Sequence, residues 1–212
     1  MDNNSPIRDN PLGQILARAD IWRGRQQSRH PTHTTGSAEH DALLGGGWPV
    51  AALSEILHSE TGQGELEILL PFLARLTQSG RQVAIVDPPG QPCITGWRQQ
   101  GIDTSKLLFV KSPDQAEALW AIEQLTASGC FGLTLAWLGK ADFALLRRLQ
   151  LAAETGATSL LLCRPAGYAN QHSPALLRLH VKRDQEGRIR PTVLKRRGQL
   201  YQPVAPHTSR AI

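Results

Sequence analysis

Ser59-Glu60-Thr61-Gly62-Gln63-Gly64-Glu65-Leu66 lies between an apolar stretch, Leu53-Ser54-Glu55-Ile56-Leu57, and a run of leucines at helical spacing. A strand, a glycine-bearing turn and a helix in that order form the frame of a phosphate-binding loop. Such a loop reads G-x-x-x-x-G-K-[ST]: backbone N–H groups cradle phosphate, the lysine reaches it and the hydroxyl holds magnesium. Here Ser59 takes the first glycine position, Glu65 the lysine and Leu66 the hydroxyl, with Gly62 and Gly64 keeping the turn. A carboxylate aimed at a triphosphate is repulsive, by roughly 4 kcal/mol for unit charges 4 Å apart at an effective dielectric near 20. The stretch therefore predicts a degenerate phosphate loop, in a nucleotide-binding fold that no longer binds nucleotide. The plainer alternative is a glycine-rich turn before a helix.

Other chemistry-bearing residues form no recognisable constellation. Cys93, Cys130 and Cys163 are odd in number, widely spaced and free of C-x-x-C, which argues against disulfides and zinc and reads as three buried small hydrophobes. His30, His33 and His40 lack the helical pairing or accompanying cysteines of a metal site. Neither G-x-S-x-G nor H-E-x-x-H occurs, so no metal and no cofactor is expected.

With 212 residues, 41% apolar and 19% charged, the chain is of the globular class and long enough for one substantial core. The net charge of +5 is unevenly placed. Residues 1–30 hold five arginines against three aspartates, residues 31–177 nine basic against thirteen acidic side chains, and residues 178–212 nine basic against two acidic. A basic C-terminal segment on a mildly acidic body points to nucleic acid or an acidic protein partner, with a solvated face as the alternative. No run of eighteen apolar residues and no basic-then-apolar leader is present, which makes the cytoplasm the expected location and a membrane an unexpected partner.

The elements that must position these residues follow from periodicity. Residues 11–27 place Leu12, Ile15, Leu16, Ala19 and Trp22 on one helical stripe, with a linker expected at 28–35 (SRHPTHTT). That helix has two places to pack, its own body or a neighbour. Residues 40–49 read as a turn-rich segment whose three glycines need positive φ or close approach. From Leu66 the leucines predict a helix ending at Ser79-Gly80, kinked at Pro71. Strands are expected at 53–57, 83–87, 107–110, 131–137 and 159–163, alternating with helices at 94–100, 114–127 and 143–155, which means a parallel α/β sheet. Residues 176–181 and 192–195 read as antiparallel edge strands at the C-terminal end. The organisation expected is a helix and linker at 1–35, a core at 36–200 and a flexible tail at 201–212.

The order of these pieces resembles the core of RecA recombinase. The stretch from Ala42 to Ile56 (ALLGGGWPVAALSEI) resembles that family's lead-in to the phosphate loop, Gly80-Arg81-Gln82-Val83-Ala84-Ile85-Val86-Asp87 its second strand, and Gly101-Ile102-Asp103-Thr104-Ser105-Lys106-Leu107-Leu108 its next connection. Closer still, Gly45-Gly46-Gly47-Trp48-Pro49, Gly64-Glu65-Leu66, Leu69-Leu70-Pro71, Ala136-Trp137-Leu138, Arg164-Pro165 and Leu194-Lys195-Arg196-Arg197-Gly198 look like the ImuA family. Its members are RecA-like accessory proteins of SOS-induced translesion DNA synthesis, and the cell-division inhibitor SulA is a shorter relative. In this resemblance Glu65 replaces the phosphate-loop lysine, Pro89 falls where the catalytic glutamate would be, and Ala136 or Trp137 where the magnesium-linked aspartate would be. Three separate parts of phosphoryl transfer are then missing, which implies a pseudo-ATPase rather than an enzyme.

The resemblance implies an adaptor for the DNA-damage response. Its expected partners are the inactive Y-family polymerase homologue ImuB, RecA and, through them, an error-prone polymerase, with single-stranded DNA a further candidate. Candidate contacts are Trp22, which also serves self-association, and the cations Lys182, Arg183, Arg188, Arg190, Lys195, Arg196 and Arg197. The alternative is a SulA-like inhibitor that binds FtsZ. The basic segment and the Trp22 helix favour the adaptor, since a compact capping domain needs neither.

Overall fold

A computed structural model describes residues 30–197 except Thr61 and Gln63. The stripe carrying Trp22 and the tail at 201–212 lie outside the described residues. The body is mixed α/β, a seven-stranded, mostly parallel sheet in the order β5-β4-β6-β7-β3-β8-β9. The strands are β3 (Leu53–His58), β4 (Gln82–Val86), β5 (Leu107–Val110), β6 (Phe131–Trp137), β7 (Ser159–Pro165), β8 (Leu177–Arg183) and β9 (Ile189–Arg196). Continuous apolar runs belong to strands covered on both faces. Val83 to Val86 are accordingly buried throughout.

Alternation along each strand sends side chains into two cores. Ile56, Ile85, Leu135 and Leu161 join one around Trp48, while Leu53, Val86, Leu160 and Leu162 join the other. The first is covered by α2 (Leu70–Gln78) through Leu73 and Leu76. The second is covered by α4 (Gln115–Ala127) and α5 (Phe143–Thr155) through Ile122, Leu146 and Leu149. Both helices start on an aspartate, Asp114 accepting from the amides of Ala116 and Glu117, and Asp142 from Leu145. α3 (Ile94–Gln99) buries Trp97 beside the β5 edge.

Several expectations change. The segment at 40–49 is not all turn. It contains α1 (Ala38–Leu44), capped by Ser37 and closed by Gly45 at φ 75°. The described part of the expected linker is a short strand, β1 (Thr32–His33), paired antiparallel with β2 (Trp48–Pro49). Gly47 permits that pairing: its φ is 118°, and a Cβ there would stand 2.0 Å from the His33 carbonyl oxygen.

Pro71 does not kink a helix, because the regular helix begins at Leu70 and leaves the proline in its first turn, where a missing N–H costs nothing. Residues 65–69 form turns that lead into it. Cys163 is buried, but Cys93 and Cys130 are exposed, since they sit in a loop and just ahead of a strand rather than within one. The antiparallel pair does lie at one edge of the sheet, yet only β9 is the edge strand. β8 also pairs parallel with β3, which explains why Leu177, Leu179 and Val181 are buried. No helix among the described residues is long and apolar enough to cross a membrane.

Candidate functional site

The loop between β3 and α2 stands at the C-terminal ends of the central strands. In open α/β sheets that is the end where ligands bind. Gly62 and Gly64 have φ of 83° and 108°, and a Cβ on Gly64 would lie 2.7 Å from Cγ1 of Ile189 on β9. The loop is thereby pressed against the edge hairpin.

Glu65 is only 2% exposed. Its Oε1 accepts the Gly62 N–H at 2.8 Å, and its Oε2 is buried with no hydrogen-bond partner. The carboxylate therefore takes up an amide of the kind a phosphate loop offers to its anion. No cation pairs with Glu65 among the described residues. Burial and then the Glu65 charge push the Cys163 thiol well above its usual range, so that cysteine is an inert core residue, not a nucleophile.

Around this loop stand the other residues at the C-terminal strand ends. Ser59 Oγ lies 3.2 Å from Nε2 of His180 on β8. Ala136 is fully buried and Trp137, next to it at the end of β6, holds a buried indole N–H without partner. Pro89 is exposed beyond β4. Asp87, the carboxylate that ends β4, accepts the Ser112 amide at 2.8 Å and faces Lys111 at 3.4 Å, so it serves to join β4 to the loop after β5. Among the described residues no group of three His, Cys, Asp or Glu side chains is placed to hold a metal ion.

A second polar feature was not read from the sequence. Glu55, Arg164 and Arg178 form an ion triad within three adjacent strands, with side-chain exposures of 0%, 0% and 6%. Arg164 Nη1 is 2.5 Å from Glu55 Oε1, and Arg178 Nε donates to the other oxygen. The remaining donors reach backbone. Arg164 Nη2 donates to the carbonyls of Gly139 and Ala141, each at 3.1 Å, and its guanidinium lies 4.5 Å from the centre of the Tyr168 ring. Arg178 donates to Tyr168 at 2.8 Å and Ala169 at 2.9 Å. The triad thus fixes the loops that follow β6 and β7. Glu55 inside the run 53–57, Arg178 inside 176–181 and Arg164 directly after 159–163 were the available signal, because buried charges are found paired.

The basic segment is divided by its own geometry. Arg183 pairs with Glu67, Arg188 with Glu186, and Arg190 Nε lies 2.8 Å from Asp184 Oδ2. Lys195 Nζ donates to the Ser173 carbonyl at 2.6 Å, and burial, then Arg178 and Arg197, lower its pKa. Arg196 reaches the opposite face, over Gly45. Lys195 and Arg196 therefore do not share one surface, as neighbours on a strand point to opposite sides. Lys182 and Arg197 are exposed. Trp22 lies outside the described residues.

The chain matches no protein-family model. It is 25% identical over 130 residues to the cell division inhibitor SulA of Yersinia enterocolitica, covering 60% of this chain and 77% of SulA. Protein RecA of Crocosphaera subtropica is 28% identical over 167 residues, covering 74% of this chain and 46% of RecA, so the chain spans about half the length of that relative. A crystal structure of SulA from Pseudomonas aeruginosa aligns with 54% of this chain and 98% of its own, at 27% identity and a TM-score of 0.47. The chain is a mixed α/β relative of SulA and RecA.

Proposed function

We propose that the protein is a non-catalytic adaptor of the DNA-damage response, acting in translesion synthesis as members of the ImuA family do. The observation that carries this reading is Glu65, whose carboxylate binds the loop's own amide where a nucleotide-binding relative would present a cation. With Pro89 and Ala136 at the other two catalytic positions, transition-state charge has no lysine, base or metal anchor to stabilise it. A fold kept without its chemistry serves as a surface. The proposed partners are an ImuB-like polymerase homologue and RecA, with DNA reached through them or through the basic hairpin. Sequence kinship with RecA supports the recombinase-like frame.

A second reading, an inhibitor that binds the division protein FtsZ, is favoured by the alignment to SulA, which spans 77% of that protein. Pull-down of the purified chain against ImuB and against FtsZ separates the two. Retention of ImuB without FtsZ is expected. Retention of FtsZ alone, with inhibition of its polymerisation, would replace the first reading by the second.

A further inference from the structure

At the N-terminal ends of the central strands, opposite the degenerate loop, lies a half-open cleft of about 490 Å³. Its size falls within the range of roughly 300–1,000 Å³ typical of ligand pockets. The walls are mixed. Half-buried Val50 supplies apolar surface above Phe72 and Leu76, which are only 2% and 6% exposed, while Arg75, Arg81 and His33 supply nitrogen donors, and no carboxylate lines it.

Arg75 and Arg81 make no ion pair or side-chain hydrogen bond among the described residues. Asp41, the acid that Arg75 influences, commits one carboxylate oxygen to the Thr34 hydroxyl and the other to the Thr35 amide at 2.6 Å. Gly132 on β6 keeps the floor open, since a Cβ there would come within 3.2 Å of Arg81 Nε and 3.1 Å of Leu76 Cδ1. His33 stacks obliquely on Phe72, with ring centres 5.4 Å apart.

We propose that this cleft binds an acidic peptide segment of a partner protein, taking carboxylates on the exposed Arg75 and Arg81 and an apolar side chain against Val50. Charge complementarity selects an anion, and the planar guanidinium fork suits a carboxylate held through two parallel bonds. Val50, the part-exposed apolar side chain of the lining, gives a peptide side chain a contact that bare phosphate cannot use. Nucleic acid needs a row of phosphate contacts for affinity, and two guanidiniums beside an apolar wall do not provide one. The inference stands apart from the translesion reading, because it rests on a different face of the molecule.

The test is fluorescence anisotropy of the full chain with a labelled peptide, Glu-Asp-Phe-Asp-Leu-Glu, and its amide analogue, Gln-Asn-Phe-Asn-Leu-Gln. The acidic peptide should bind, and each guanidinium removed, by Arg75→Gln or Arg81→Gln, should weaken it roughly tenfold, the size of one charge-assisted hydrogen bond. Arg75→Lys with Arg81→Lys keeps the charge but loses the fork, and should fall between native and double Gln variant. Removing the exposed hairpin charges by Lys182→Gln with Arg197→Gln should change nothing. Equal affinity for the amide analogue, or for the double Gln variant folded to the native melting temperature, would overturn the proposal. So would displacement of the peptide by inorganic phosphate or by phenylacetate at equal concentration, which would make the cleft an oxyanion or small-acid site.

Discussion

At the scale of single residues, the strongest constraint is the Glu55, Arg164 and Arg178 triad. Three charges taken out of water cost more than their attraction returns unless every donor is satisfied, and here the donors reach six carbonyl or amide oxygens besides Glu55. Glu55→Gln leaves two buried guanidiniums facing one neutral amide. It should lower stability by about 3–5 kcal/mol, as breaking other buried pairs does. Replacing all three by Leu, Met and Met should cost far less, since no charge then remains buried. Guanidinium chloride unfolding measures both, and a loss below about 1 kcal/mol for Glu55→Gln would mean that water reaches the triad. Glu55 and Arg178 were each visible as charges inside apolar runs, and Arg164 directly after one. Their pairing was not, because the partners lie 109 and 123 positions away and sequence periodicity carries no information about which strands become neighbours.

Among the elements, legibility followed burial on both faces and length. Strands such as β4 and β7 leave a continuous apolar signature, and the thirteen-residue helices α4 and α5 show both a stripe and an aspartate cap. α1 is seven residues long, too short for periodicity to emerge, although Ser37 and Gly45 mark its ends. The start of α2 was read four residues early because Leu66 continues the leucine spacing and Leu69 provides no side-chain cap. Pro71→Ala is therefore expected to change stability by less than about 1 kcal/mol, against about 3 kcal/mol for a proline removed from a helix interior. Thermal unfolding decides between them. The hairpin of β8 and β9 makes a second prediction at this scale. With Arg183, Arg188 and Arg190 ion-paired, only Lys182 and Arg197 are ready for phosphate. Single-strand binding should then fall with salt at a log–log slope near −1.4, about −0.7 for each of two contacts. Lys182→Glu with Arg197→Glu should abolish it. A slope near −3.5, about −0.7 for each of five contacts, would show that the paired arginines release their carboxylates to bind DNA.

For the molecule as a whole, the sheet separates three surfaces: the Glu65 loop at the C-terminal strand ends, the cationic cleft at the N-terminal ends, and the basic hairpin along one edge. Kinship with RecA and SulA supports two proposed uses of such a body, and the reading proposed above has the loop bind no nucleotide. The central claim is thus that Glu65 occupies its own anion cradle. The most direct test is the melting temperature of the full chain with and without saturating Mg-ATP, since a ligand raises stability only in proportion to its binding to the folded state. No shift is expected for the native chain, and Glu65→Lys alone should gain no hydrolysis, because the proposed reading also puts Pro89 and Ala136 where the base and the metal anchor would be. A rise of several degrees with Mg-ATP in the native chain, lost in Glu65→Ala, would contradict the account.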